Sequence, residues 1–250
     1  MICYVYDGSF HGLLTSVYEA YYTKNKPEDI VPKEDFIFTL LTEPIFITTD
    51  ELKASKVYTA IKNKISEEAL QNIFYAYLSE VEHSSFLIYE YIKLGFKLGS
   101  KVDLHLHNDT VLRIDNICKK VTNEAHRMVG FVRFDCIKNN LYYSAIEPDH
   151  NILTLIAPHF AERLSNEKWI IHDLKRELAA MYNGSQWVIS SISKDQGKAL
   201  SLSIENEFYQ KLWIDYFNNI AVENRINPKL QKMHMPKRYW KHLTEKAPDS

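Results

Sequence analysis

The sequence predicts an α+β fold, with a helix-rich N-terminal half over residues 1–126 and then, over 127–250, a mostly antiparallel sheet flanked by helices. Three observations predict it. Apolar residues recur at offsets of three and four from about residue 49 to residue 126. After Arg127 the recurrence gives way to short alternating runs separated by turn residues. Seven Gly and eight Pro in 250 residues leave little room for a long flexible linker, so the second half either continues the first domain or packs against it as another.

Ile2 to Tyr6 is a short apolar and aromatic run closed by Asp7-Gly8, and reads as a strand and turn. From Ser9, Phe10, Leu13, Leu14, Val17 and Tyr21 fall at helical spacing. A single glycine before a helix is ordinary turn chemistry rather than a phosphate loop. Phe36-Ile-Phe and Ile45-Phe-Ile, separated by Pro44, are β-prone and suit edge strands. Thr49-Asp50-Glu51 caps a helix carrying Leu52, Val57 and Ile61; Ser66 with Glu67 and Glu68 opens another. A third runs from about Ser85 to Gly95 or Gly99. A fourth, reached past Asn108-Asp109, carries Val111, Ile114, Cys118, Val121 and Ala125.

In the second half, Met128 to Phe134 and Leu141 to Ile146, joined at Asn139-Asn140, read as a hairpin. Pro148-Asp149-His150 turns into a short helix with Ile152, Leu155 and Ile156, restarted at Pro158. Trp169 to Ile171 is a strand, and Leu178 to Tyr182 with Trp187 to Ile189 form a second hairpin about Asn183-Gly184. Tyr209, Trp213, Tyr216, Phe217 and Ile220 mark a helix from about Ser203 to Glu223.

From Arg225 to Lys246 seven Lys or Arg stand against one acid, Glu245, so this stretch carries +6 while the whole chain carries −2 and the remainder −8. A cationic end interleaved with Tyr239 and Trp240 suits phosphates held by charge and bases stacked on rings; a solvated tail explains the same charge run. Cys3, Cys118 and Cys136 have no paired spacing, so neither a disulfide framework nor a cysteine-built metal or iron–sulfur site is readable. Without a basic, apolar leader or a long apolar stretch, the expected location is cytoplasmic.

The densest ionisable set lies mid-chain: Glu147, Asp149, His150, His159, Glu162, Arg163, His172, Asp173 and Arg176. Asp149, His159 and Asp173 are the candidates for acid–base work, and His150, His159 and His172 for metal ligation, since imidazole and carboxylate suit Zn, Mn or Fe. Their spacings fit no standard site, and hydrogen bonding of the histidines in the core, with the Asp and Arg capping or pairing across strand ends, is the plainer account of them. His105 and His107 flank Leu106 in a similar His-x-His pattern, or in a plain polar connection. No Gly-x-Ser-x-Gly elbow appears. Arg127 and Arg133, placed six apart on the first hairpin strand, share a face and either grip phosphates or pair across strands.

Several motifs follow one another in order: His126-Arg127-x-x-Gly130-Phe131-x-Arg133-Phe134, Glu147-Pro148-Asp149-His150-Asn-Ile-Leu153, Pro158-His159-Phe160-x-x-Arg163, Trp169-x-Ile171-His172-Asp173-x-x-Arg176, Trp213-x-x-Tyr216-Phe217 and Arg225-x-Asn227-Pro228-x-x-Gln231, closing on Pro236-x-Arg238-Tyr239-Trp240-Lys241. With the opening Tyr6-Asp7-Gly8-Ser9-Phe10, they resemble a bacterial family of DNA metabolism or DNA repair proteins with a C-terminal domain of unknown function. The resemblance implies a gene neighbour that is a radical S-adenosylmethionine (SAM) DNA repair or modification protein, and in some members a fused uracil-DNA-glycosylase-like domain. It carries Arg127, Arg133, Asp149, His159, Arg163, Asp173, Arg225, Asn227, Gln231 and Lys237 over as functional positions. Lys56 stands where the resemblance leads one to expect Arg.

The expectation is a DNA-binding or accessory subunit working with a radical SAM partner, its nucleic-acid surface drawn from Arg127, Arg133, Arg163, Arg225, Asn227, Gln231, Lys237, Arg238, Tyr239, Trp240 and Lys241. No motif calls for a cofactor of its own, so radical chemistry belongs to the partner. The alternative is a metal-dependent hydrolase or lyase acting on DNA or on a damaged nucleotide through Asp149, His150, His159, His172 and Asp173.

Overall fold

The computed structural model describes residues 1–24, 26–137, 140–202, 232–243 and 246. The expected helix over 203–223, and with it Arg225, Asn227 and Gln231, lies outside them. The architecture is mixed, helical first and then a five-stranded, mostly antiparallel sheet. The chain divides into two units, Met1–Thr122 and Asn123–Ser250.

In the first unit β1 (Ile2–Tyr6) is the centre of a three-stranded sheet, flanked by β2 (Asp29–Pro32) and β3 (Glu43–Phe46), both parallel to it. With a partner along each edge, β1 buries Cys3 to Tyr6 on both of its faces, the pattern of a parallel strand covered on either side. The β1–β2 crossover is α1 (Phe10–Tyr22), whose N-cap Ser9 accepts from the Gly12 N–H. Gly12 has no alternative there: a Cβ would lie 2.2 Å from Asp7 Oδ1 and 2.9 Å from Thr49 Oγ1. The helices α2 (Glu51–Lys64), α3 (Glu67–Leu78) and α4 (Ser84–Leu98) follow, the first two capped by Asp50 and Ser66. The Phe36-Ile-Phe run is not a strand; it lies in a connection in which Phe36 is half-buried and Ile37 and Phe38 are exposed.

A 3-10 turn (Gly99–Leu104) leads into α5 (Asp109–Phe131), a 23-residue helix that carries the chain into the second unit. The expected first hairpin is thereby corrected. Met128 and Val132, four apart, are buried on a helical stripe, so residues 128–131 continue α5, and the strand is the shorter β4 (Asp135–Ile137).

The second sheet runs β4-β5-β6-β7-β8, with β5 (Leu141–Ile146), β6 (Lys168–Asp173), β7 (Leu178–Tyr182) and β8 (Trp187–Ser191). Only β5 and β6 pair in parallel, and α6 (Leu153–Arg163) is their crossover. Pro158 sits inside α6 without restarting it. On one sheet face Phe160 meets Trp169, which stacks on Tyr182 with ring centres 5.3 Å apart. On the other, α7 (Lys194–Ser201), opened by a Ser193–Gln196 capping box, covers Tyr143, Ile170 and Ala179. Among the described residues no helix is long and apolar enough to cross a membrane.

Candidate functional site

Because β5 and β6 are parallel neighbours, their carboxyl ends open on the same edge of the sheet, the place where α/β sheets present their ligating loops. The loop leaving β5 is Glu147-Pro148-Asp149-His150, and the turn leaving β6 is Asp173 to Arg176. The turn holds the loop. The Lys175 and Arg176 N–H groups donate to Asp173 Oδ1 at 2.9 and 3.3 Å, and Arg176 Nη1 donates to Asp173 Oδ2 at 2.7 Å. The same guanidinium reaches the Pro148 and Asp149 carbonyls at 3.2 and 2.8 Å, joined by Lys175 Nζ on the Asp149 carbonyl at 3.0 Å. Asp173 is fully buried; burial pushes its carboxyl up, against the pull of Arg176 and two backbone N–H groups.

The loop's other anchor is Glu124 of α5. It lies on the buried stripe of that helix with Val121, Ala125 and Met128, and its carboxylate accepts from the Asp149 N–H at 2.8 Å and the His150 N–H at 2.9 Å. It also receives the hydroxyl of Tyr239, in a 3-10 turn, Lys237–His242, that lies against the loop. Tyr239 is buried, its ring 5.7 Å from Phe131, and burial followed by the Glu124 charge pushes its phenol up.

The cations around Tyr239 meet the loop's acids. Arg238 Nη2 sits 2.7 Å from Asp149 Oδ2 and 3.0 Å from the Tyr239 hydroxyl, and Lys241 bonds Glu147. His242 Nε2 is 3.5 Å from Glu147. Burial acts to raise Glu147, but Lys241 and His242 outweigh it and hold the carboxyl below the usual range. Burial also keeps His242 below the usual imidazole value. Arg238 and Lys241 nevertheless leave about half of their side chains in solvent, 52% and 54%. Trp240 donates its indole N–H to the Met235 carbonyl at 2.9 Å, with the Lys237 and Lys246 ammoniums 5.7 and 5.5 Å from its ring.

The sequence therefore places some site residues together and others apart. Asp149, Asp173, Arg238, Tyr239, Trp240 and Lys241 share one region with Lys237. Arg127 is on α5 rather than on a strand, and Arg133 follows that helix, donating to the Gly130 carbonyl at 2.7 Å as a C-terminal cap, so the shared strand face is corrected. Arg163 is exposed in the last turn of α6. Tyr239 is corrected from a stacking ring to a packing one, being 3% exposed.

The histidine set does not converge. His172 is fully buried, its Nδ1 accepting from the Tyr143 hydroxyl and its Nε2 donating to the Ile192 carbonyl, both at 2.9 Å, and burial lowers its pKa. Both ring nitrogens are thus committed to hydrogen bonds. His159 packs edge-on against Phe160, and His150 is held to Glu124 through its backbone N–H. Among the described residues no three His, Cys, Asp or Glu side chains gather to hold a metal ion.

Sequence reasoning missed Glu124. Its signal is position: three after Val121 and four before Met128, it is an acid on the apolar stripe of a helix.

Residues 82–245 match a family described as a domain of unknown function, DUF4130. No curated protein matches the chain.

Proposed function

The chain belongs to the DUF4130 family, and we propose that it is a DNA-binding accessory subunit in DNA repair or metabolism, working beside a radical SAM enzyme that performs the chemistry. The observation that carries the DNA reading is the display of Lys237, Arg238 and Lys241 on one short turn, exposed to solvent and anchored beneath by buried Tyr239. Exposed ion pairs contribute only about 0–1 kcal/mol each, so phosphates can replace Asp149 and Glu147 as partners of Arg238 and Lys241 at little cost. The motif resemblance supports the partner. The chain's three cysteines, at positions 3, 118 and 136, lie too far apart in sequence to supply a cluster motif of their own.

Fluorescence anisotropy with labelled single-stranded and duplex DNA over a salt series tests the binding. Replacing all three cations by Ala is expected to make the slope of log affinity against log salt shallower by about 2–3, at roughly 0.7–0.9 per phosphate. An unchanged slope with the fold intact excludes this surface. Co-purification with the radical SAM protein, with and without DNA, tests the partnership.

A further inference from the structure

The first unit carries a surface that the DNA reading does not use. Between β2 and β3, Asp35 N–H bonds the Pro32 carbonyl at 3.1 Å and Thr42 N–H bonds the Thr39 carbonyl at 3.1 Å, with the two threonine hydroxyls 2.6 Å apart. This turn holds Leu40 and Leu41 at its tip, 98% and 85% exposed. Ile37 and Phe38 before it are 80% and 67% exposed, and Phe46, on β3, is 64% exposed with its ring 6.3 Å from that of Phe36. A hydrogen-bonded loop and the strand after it that together leave five large apolar side chains in water mark an interaction surface.

The surroundings say what it takes. Between residues 28 and 51 seven acidic residues stand against one lysine, Lys33, and Glu34, Asp35 and Glu43 are exposed beside the apolar side chains. An acidic rim repels nucleic acid and anionic membrane alike, and a two-fold contact with a second copy would set these acids against themselves. Strand addition is also disfavoured. The Glu43 and Ile47 N–H groups bond the Met1 and Val5 carbonyls, so the intervening position 44 turns its backbone nitrogen to the open edge, and Pro44 has no N–H to offer. We infer that the Phe36–Phe46 surface docks, through side chains, a protein partner whose contact face has an apolar centre and a Lys/Arg rim. This stands on the first unit alone and is independent of the DNA proposal.

The test uses the full chain with backbone amides assigned by NMR. The probe is a synthetic amphipathic helix of Leu and Lys, with a Leu–Glu peptide of the same pattern as its counterpart. The Leu–Lys peptide is expected to shift amides 36–46, to weaken with salt, and to bind at least tenfold more weakly to the doubly substituted Phe38→Ser, Leu40→Ser protein. Replacing Glu34, Asp35 and Glu43 by their amides flattens the salt dependence. Equal binding of the Leu–Glu peptide, binding that ignores both sets of substitutions, dimerisation through amides 36–46, or adsorption of phosphatidylserine vesicles through them would each overturn the inference. Because every substituted side chain is exposed, melting temperatures stay at the wild-type value, and DNA affinity is read separately on the same samples.

Discussion

Tyr239→Phe is the cleanest perturbation of the C-terminal unit, because it removes one hydroxyl and no packing. That hydroxyl donates to a Glu124 carboxylate which also holds the Asp149 and His150 N–H groups. Without it the carboxylate keeps two donors, and half-exposed Arg238, which also donates to that hydroxyl at 3.0 Å, keeps Asp149 and water, so no buried charge is orphaned, and the loss is chiefly that of the hydrogen bond to Glu124, about 1.5–3 kcal/mol. For a chain of this length that lowers the melting temperature by about 3–12 °C. Glu124→Ala is a different case: it strands two backbone donors and the phenol together, and at about 1–3 kcal/mol for each stranded group it costs considerably more. Urea unfolding gives the free energies, and hydrogen exchange at the Asp149 and His150 amides gives the local effect. Both amides are expected to stay protected in Tyr239→Phe and to exchange freely in Glu124→Ala. If Tyr239→Phe costs under about 0.5 kcal/mol, or the two amides already exchange freely in the wild type, then Glu124 does not organise the site.

Gly197 and Gly130 both lie in helices, yet the same change to Ala has opposite expected signs. At Gly197 a Cβ would come within 2.5 Å of His172 Cε1 and Nδ1 and 2.9 Å of the Tyr143 hydroxyl, so about 1–3 kcal/mol of overpacking exceeds the ~1 kcal/mol gain in helix propensity. At Gly130 nothing lies within 4 Å, so only the gain remains; equal shifts in denaturation midpoint would contradict the packing described for α7. With pH, burial holds His172 and His242 below the usual imidazole value, so the stability they contribute is complete above about pH 6.5 and falls as acid charges them. Glu147 is depressed, so its share is lost further down, below its ordinary value of 4.5. Melting curves from pH 8 to pH 3.5 are expected to fall in those two windows, and a rise between pH 7 and pH 5.5 would refute the neutral histidines. Finally, Glu147→Gln with Asp149→Asn removes the internal competitors of Lys241 and Arg238 and is expected to tighten DNA binding about three- to tenfold at low salt, read by anisotropy.

Much of the helical layer was legible because its signals are local. Ser9, Asp50 and Ser66 cap the helices whose starts they announce, and the buried stripe Val111, Ile114, Cys118, Val121 and Ala125 is the one its spacing predicts. The failures share a cause. Val129, Phe131 and Arg133 alternate as a strand would, while Met128 and Val132 are four apart as a helix requires, and seven residues cannot separate the two periods. Ambiguity of this kind is resolved by what lies across the fold, here a core that buries Met128 and Val132. The parallel pairing of β5 with β6 was illegible too, since a strand's partner and direction are set by its crossover and not by its own residues. The capping box of α7 was in plain sight at Ser193 and Gln196, but the helix it opens is short and polar and carries no stripe.

The site shows the same division more sharply. Counting charge along the chain finds a basic end and an acidic body, and treats them as separate properties. In space, Arg238 meets Asp149 and Lys241 meets Glu147, pairs separated in sequence by 89 and 94 positions, so part of the basic end is balanced by the body before any ligand arrives. What decides whether this turn attracts phosphate is therefore not the sum of its cations but whether phosphate is a better partner than the carboxylates they already have. Two solvent-accessible carboxylates, Asp149 half exposed and Glu147 a third, are weaker competitors than buried Asp173 on Arg176. It follows that Arg176, despite standing in the same motif run, is committed to holding the 147–150 loop, and that the DNA reading stands on Lys237, Arg238 and Lys241, whose partners can be exchanged without unfolding what Tyr239 and Glu124 hold together.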